Sequence, residues 1–206
     1  MTNEVREYYE VDPGEYEAFM HNIKYQAPKS FFEFVQDHLT QTKRVLDVGA
    51  GTGLSSRFFI SEGKEVYGID FSERLLAHAA KNHAFKETRV ADIFDGIPYS
   101  NNFFGAAISV GALHTYPNIT SILEEMERVT KPQGYICFTT GGRTVTFPDG
   151  TCFYQHTEDD LAMGLRNSEL VRCGNIFAHQ IIMENSREDF HYDIYVFQKK
   201  IEEMDI

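Results

Sequence analysis

The sequence predicts an α/β fold, with a mostly parallel sheet covered by helices on both faces and an antiparallel hairpin at its C-terminal end. Three observations carry this. Short β-branched and apolar runs alternate with amphipathic helical segments through five strands, the pattern of a parallel sheet with helical crossovers. The first strand ends in an acid and runs into a glycine loop that opens a helix. The last two strands, Asn175 to Met183 and Tyr192 to Lys199, are joined by a short polar loop, which forces an antiparallel pair.

The elements follow in order. Residues 1–27 hold Tyr8, Tyr9, Tyr16 and Tyr25 among acids, with Pro13-Gly14 as a turn. A helix is expected from Pro28, suited to a first-turn position, to Leu39, with Phe31, Val35 and Leu39 on one face. The first strand and its loop span Lys43 to Gly53. A helix then carries Leu54, Phe58 and Phe59 and stops at Gly63. A second strand, Glu65 to Ile69, reaches Asp70, and Ser72 caps a helix with Leu75, Leu76, Ala79 and Ala80. Strands are expected at Thr88 to Ala91, Phe104 to Val110 and Tyr135 to Thr139. Between the last two lie a helix with Ile122, Leu123, Met126 and Val129 on one face and a turn at Lys131-Pro132-Gln133-Gly134. Gly141 to Tyr154 reads as a lid or binding loop. Thr157 opens a helical region that Gly174 ends, with Asp160 as capping partner. No repeat or linker divides the chain, so 1–206 is expected to be one domain. Residues 1–40 form an N-terminal cap segment and helix, and 43–200 the core.

Composition narrows the function classes. At 206 residues the chain can bury a substantial core. A net charge of −12, with 19 scattered Lys and Arg, argues against a nucleic-acid partner. No apolar run reaches membrane-spanning length and the start is unlike a signal peptide, so a cytoplasmic protein without a membrane partner is expected, as monomer or homodimer. The cysteines Cys137, Cys152 and Cys173 read as reduced thiols, and the eight histidines form no metal-binding pattern.

The glycine loop reads Asp47-Val48-Gly49-Ala50-Gly51-Thr52-Gly53. Alternating glycines let backbone approach a ligand closely, and the helix behind them presents unpaired N–H groups. A dinucleotide loop places its third glycine where Leu54 stands; here Gly53 comes one residue early. A carboxylate at Asp47 disfavours a pyrophosphate and favours a cation. Asp70 lies about 20 residues past the first glycine, where nucleotide-binding α/β folds place the acid that holds ribose hydroxyls.

These residues resemble the first motif of the class I S-adenosylmethionine-dependent methyltransferases. Val66 to Ser72 is similar to the second motif, Ala91-Asp92 to the third, and Ile108 to His114 to the segment after strand four. The likeness is greatest to the small-molecule branch typified by ubiquinone- and menaquinone-biosynthesis enzymes and covers about Pro28 to Lys200. Phe104-Gly105 and Lys131-Pro132-Gln133-Gly134 depart from that branch.

The resemblance implies a Rossmann-like sheet of seven strands with the last inserted antiparallel, S-adenosyl-L-methionine as cofactor and a small-molecule acceptor. It implies that Asp47, Gly49, Ala50, Gly51, Asp70, Phe71, Asp92, Ile93 and Val110 hold the cofactor, Asp70 at the ribose and Phe71 and Ile93 against the adenine. His114 is the candidate general base, imidazole being suited to proton transfer near neutral pH. The N-terminal segment and the Gly141–Tyr154 loop are expected to wall the acceptor pocket. Two other readings compete. A NAD-type oxidoreductase fits the glycine spacing and terminal hairpin less well, and a cofactor-binding protein without catalysis stays open because no unambiguous catalytic residue stands out.

Overall fold

The computed structural model describes residues 11–147, 150–183 and 186–201. Tyr8 and Tyr9 lie outside the described residues. The central sheet has seven strands in the order β3-β2-β1-β4-β5-β9-β8. Its strands are β1 (Arg44–Val48), β2 (Glu65–Asp70), β3 (Glu87–Val90), β4 (Phe104–Ser109), β5 (Thr130–Gly141), β8 (Ser168–Met183) and β9 (Ser186–Lys199). The first five run parallel; β9 pairs antiparallel with β5, and β8 antiparallel with β9. A separate antiparallel hairpin, β6 (Val145–Thr146) with β7 (Cys152–Phe153), lies ahead of these last two strands and not at the C-terminus.

The helices are α1 (Pro13–Asn22), α2 (Ala27–Val35), α3 (Ser56–Ser61), α4 (Glu73–Asn82), α5 (Thr120–Val129) and α6 (Glu158–Gly164). Side chains alternate across a strand, so β1 splits its residues between two cores. Val45 joins Val66, Ala106 and the α2 and α3 residues Phe31, Val35 and Phe59 on one face. Leu46 and Val48 join Phe104 and the α5 residues Ile122, Leu123 and Met126 on the other. Each fully buried Val, Leu, Ile, Phe or Met among them stabilises the fold by about 1.5–3 kcal/mol. Ser72 caps α4 by accepting from the Leu75 N–H, and Thr157 and Asp160 form the reciprocal capping box of α6.

Several boundaries differ from the sequence reading. Helix α3 is only Ser56–Ser61, and Leu54 precedes it. The expected helix from Pro28 to Leu39 closes as α2 plus a 3-10 turn over Gln36–Leu39. The Lys131–Gly134 turn lies inside β5 as an irregularity, with Gln133 at φ 62° and a register shift against β4. The helical region expected to run to Gly174 ends at Gly164, and 168–183 is strand β8. The long partner β9 supplies a backbone ladder from Ser168 onward, which overrides the local pattern.

The strand order reverses between β1 and β4, the point where open α/β sheets bind ligands at the carboxyl ends of their strands. The segment after α1 joins this end of the molecule. Gln26 N–H donates to Ala178 O at 2.8 Å, and Gln180 N–H donates to Ile23 O at 2.7 Å, so 23–26 covers the open edge of β8.

Candidate functional site

The glycine loop leaves β1 at the switch point. Gly49 and Ala50 N–H both donate to Ile69 O at 2.9 Å, which ties the loop to the end of β2. Gly49 has φ 75°, and a Cβ there would sit 2.8 Å from the Ala112 Cβ, so backbone passes close to the segment after β4. Gly51 has φ 53°, but a Cβ on it would meet nothing within 4 Å. Its missing side chain opens onto a cleft.

Gly49, Ala50, Gly51, Asp70, Phe71, Ile93 and Val110 all line this cleft. Asp70 is buried at the tip of β2. Its Oδ2 accepts the Gly51 N–H at 2.8 Å and its Oδ1 accepts the Ser72 N–H at 2.9 Å. Burial raises its pKa, and the backbone N–H bonds pull the other way. A carboxylate has about four lone-pair sites, so Asp70 keeps accepting capacity for a ligand hydroxyl. Thr52 Oγ1, in the same wall, is buried with no hydrogen-bond partner.

Asp47 and Asp92 stand apart from the cleft lining. Asp47 shares the parity of Val45, so its side chain turns beneath α3, where Ser56 Oγ donates to its Oδ2 at 2.6 Å. It is 1% exposed, and burial raises its pKa to about 7, with the Ser56 bond opposing and Asp70 adding. A carboxylate so held braces the start of the glycine loop through Ser56. Asp92 closes a local turn, its Oδ1 accepting the Phe94 N–H at 3.0 Å.

A second cavity adjoins the cleft, and Tyr16, Tyr25 and Gly111 line both. Its further walls include Phe19 and Met20 of α1, Phe147 and Phe153 of the β6–β7 excursion, and His179 and Tyr192 of β8 and β9. The Tyr25 and Tyr192 hydroxyls share a hydrogen bond, and burial holds the Tyr25 pKa well above its ordinary value.

His114 lines this second cavity, on a 3-10 turn (Leu113–Thr115) after β4. Its ring lies 4.2 Å from Phe153 and 4.9 Å from Tyr192, centroid to centroid, and its backbone O accepts the Tyr154 N–H at 2.7 Å. Burial, helped by the neighbouring His179 and His156, lowers its pKa to about 3, so the imidazole is neutral near pH 7. Its Nδ1 has no hydrogen-bond partner. Among the described residues no cluster of His, Cys, Asp or Glu could hold a metal ion, and no helix is long and apolar enough to cross a membrane.

Comparison with known proteins fits this arrangement. Residues 46–138, from β1 into β5, match the family model described as a methyltransferase domain. Over this segment the chain is similar to methyltransferase domains. The chain is 36% identical over 97 residues to the malonyl-[acyl-carrier protein] O-methyltransferase of Erwinia pyrifoliae, covering 47% of this chain and 37% of that protein. It is 32% identical over 120 residues to the demethylmenaquinone methyltransferase of Bacillus mycoides, covering 54% of this chain and 51% of that one. The chain thus spans about two fifths to half the length of these curated relatives. Among solved structures, the 1,6-didemethyltoxoflavin-N1-methyltransferase of Burkholderia thailandensis, with bound 1,6-didemethyltoxoflavin and S-adenosylhomocysteine, shares the fold. The TM-score is 0.67 at 20% identity, over 95% of this chain and 90% of that one.

The fold brings together most of the residues the sequence singles out, and adds others. Thr52, Leu54, Thr115 and Tyr116 join the cleft. His179 and Tyr192 join the second cavity from outside the family match. A β-bulge between Phe177 and His179 places both Ala178 and His179 inside. No motif marks that shift; the one available signal is a histidine amid the apolar run from Ile176 to Ile181.

Proposed function

We propose that this chain is an S-adenosyl-L-methionine-dependent methyltransferase, a single domain that acts on a small molecule. The observation that carries the reading is the pair of adjoining cavities. One lies over the glycine loop and the other beside His114, with Tyr16, Tyr25 and Gly111 between them. Two ligands held so would meet end to end, which well-oriented transfer needs; orientation alone can supply about 7–11 kcal/mol of the barrier.

The residues of the first cleft fit the cofactor. Asp70 has accepting capacity for the two ribose hydroxyls, and Phe71 and Ile93 offer apolar surface to the adenine. Gly51 leaves room where a side chain would stand, and Thr52 Oγ1 has an unmet hydrogen bond. Gly49, Ala50 and Val110 complete that wall, while Asp47 and Asp92 brace it from outside. When bound, the cofactor supplies a methyl group on a positively charged sulfur.

The chain's own part is to orient the acceptor and exclude water. His114 lines the second cavity as a neutral imidazole that can hydrogen-bond an acceptor hydroxyl; its lowered pKa makes it a weak base, so orientation carries more of the rate than proton removal. The relatives named above act on different acceptors, so the acceptor is read from this chain's own cavity. A cytoplasmic location agrees with the three free cysteines.

Calorimetry with S-adenosylhomocysteine and with NAD tests the cofactor, and transfer of a labelled methyl group to metabolites in an extract tests the activity. Binding of NAD in preference to S-adenosylhomocysteine overturns the reading. Binding of S-adenosylhomocysteine with no label transferred leaves a cofactor-binding protein without catalysis.

A further inference from the structure

The second cavity points to an acceptor class, a step that rests on the methyl-transfer reading. We propose that it takes an uncharged, flat ring compound bearing a hydroxyl or ring N–H, and discriminates against carboxylates and phosphates.

The first argument is charge. Among the described residues that line the cavity there is no Lys, Arg, Asp or Glu. Its polar groups are hydroxyls, an amide and two imidazoles. Both imidazoles, His114 and His179, are buried, and desolvation lowers their pKa, so neither is a cation near pH 7. Arginines nearby are engaged elsewhere: Arg143 pairs with Glu188 at 2.8 Å on the surface, and Arg187 donates to Asn22 O at 3.5 Å. A carboxylate or phosphate entering this space would lose water and gain no counter-ion, which is strongly unfavourable.

The second argument is shape. Phe153 is the centre of a ring cluster, with Phe147 at 4.9 Å and 74° and His114 at 4.2 Å and 87° between ring planes. Tyr25, His179 and Tyr192 continue it, at 6.0 Å and 5.9 Å from ring to ring. Walls of aromatic faces and edges favour a flat ring, by offset stacking and edge-to-face contact.

The third argument is the unmet hydrogen bond. His114 Nδ1 is buried without a partner. A neutral imidazole has one donor and one acceptor nitrogen. A hydroxyl can serve either nitrogen, by donating or by accepting, and an N–H serves the acceptor nitrogen by donating. A carboxylate only accepts and leaves the acceptor nitrogen unmet. Gln180 and Thr151 offer further neutral polar contacts along the wall.

The test uses the full chain and a matched ligand panel of 1-naphthol, indole, 1-naphthoate and 1-naphthyl phosphate. Dissociation constants come from ligand-observed NMR with and without saturating S-adenosylhomocysteine. The neutral members are expected to bind at least about tenfold tighter than the anions. Phe19 is 43% exposed on α1, so Phe19→Arg adds a cation at the rim without disturbing the core. It is expected to narrow the preference by about tenfold. Anions binding as tightly as neutral rings, or no binding by either neutral ring, overturn the proposal. Failure of S-adenosylhomocysteine to bind in calorimetry strikes the methyl-transfer reading instead, because the panel measured without it reports on the cavity alone.

Discussion

The Tyr25 hydroxyl occupies the space that a side chain on Gly111 would need: a Cβ on Gly111 would sit 2.1 Å from the Tyr25 Oη. Gly111 also has φ 71°, and Tyr25 shares a hydrogen bond with Tyr192. The partition between the two cavities therefore depends on a glycine at the end of β4 and a tyrosine from the N-terminal segment. Gly111→Ala is expected to displace Tyr25 and to cost about 1–2 kcal/mol for the left-handed backbone. The midpoint of thermal unfolding should fall by about 2–8 °C. A larger proportional loss should appear in methyl transfer. An unchanged melting curve with full transfer would remove Tyr25 from the partition.

Asp70 holds two backbone N–H groups beside the ribose role proposed for it. The sequence assigns it to a ligand, and the structure adds the Gly51 and Ser72 N–H groups as partners. Asp70→Ala is expected to weaken S-adenosylhomocysteine binding by about 1.5–3 kcal/mol, ten- to a hundredfold in the dissociation constant. It should also lower stability by about 1–3 kcal/mol, because two N–H groups lose their acceptor. Calorimetry and thermal unfolding read the two effects separately. Unaltered affinity would take Asp70 out of the ligand site.

Asp47 should make the protein less stable as pH rises. Its carboxyl goes from 3.8 to about 7 on folding because burial disfavours the charge. Between those values the folded state holds more protons than the unfolded state, so stability falls through that window and the full penalty applies above it. Asp47→Asn keeps an acceptor for Ser56 and removes the charge. Urea midpoints from pH 4.5 to 8 should show the variant gaining on the wild type toward the alkaline end, by on the order of a few kcal/mol. Parallel curves would mean that the carboxyl ionises freely in the fold.

His114 acts in the opposite direction. Its pKa drops from 6.5 to about 3 on folding. The unfolded state therefore takes up the proton first, and stability is lost as pH falls below about 6.5. His114→Gln is expected to be less sensitive than the wild type in urea titrations at pH 5. A free histidine at this position would give the pH profile of turnover a limb near its ordinary pKa. The buried ring is expected to give none above pH 5. His114→Ala should lower turnover about a hundredfold or more if the ring takes the acceptor proton. A raised KM with near-normal turnover would make it a positioning residue.

Helix α1 should behave as a movable cover. None of its side chains is buried, yet Tyr16 lines both cavities and Phe19 and Met20 line the second. Two pairs tie it to α4, Asp12 with Arg74 at 3.4 Å and Glu17 with His78 at 3.4 Å. Such exposed pairs contribute about 0–1 kcal/mol each. Amide exchange over 13–22 is expected to be fast in the free protein and slower with S-adenosylhomocysteine and a ring compound present. Equal exchange in both conditions would count against a lid.

Short-range chemistry made much of this protein legible in its sequence. The glycine spacing after β1, the Ser72 and Thr157 caps, the apolar faces of α2, α4 and α5 and the acid at the tip of β2 each depend on residues a few positions apart. The order of strands and helices then restricts the sheet. Tertiary structure decided what local pattern cannot encode. Strand parity turned Asp47 under α3, where the motif alone suggested a ligand contact. Pairing with β9 drew 168–183 into a strand, and a bulge brought His179 inside. The second cavity joins Tyr16 and Tyr25 near the start of the chain, His114 after β4, Phe153 of β7, His179 of β8 and Tyr192 of β9. Its electrostatic character depends on burial, since the same imidazole at the surface would titrate near its ordinary value. Desolvation is a property of everything packed around a side chain, so it exists only once distant segments have met.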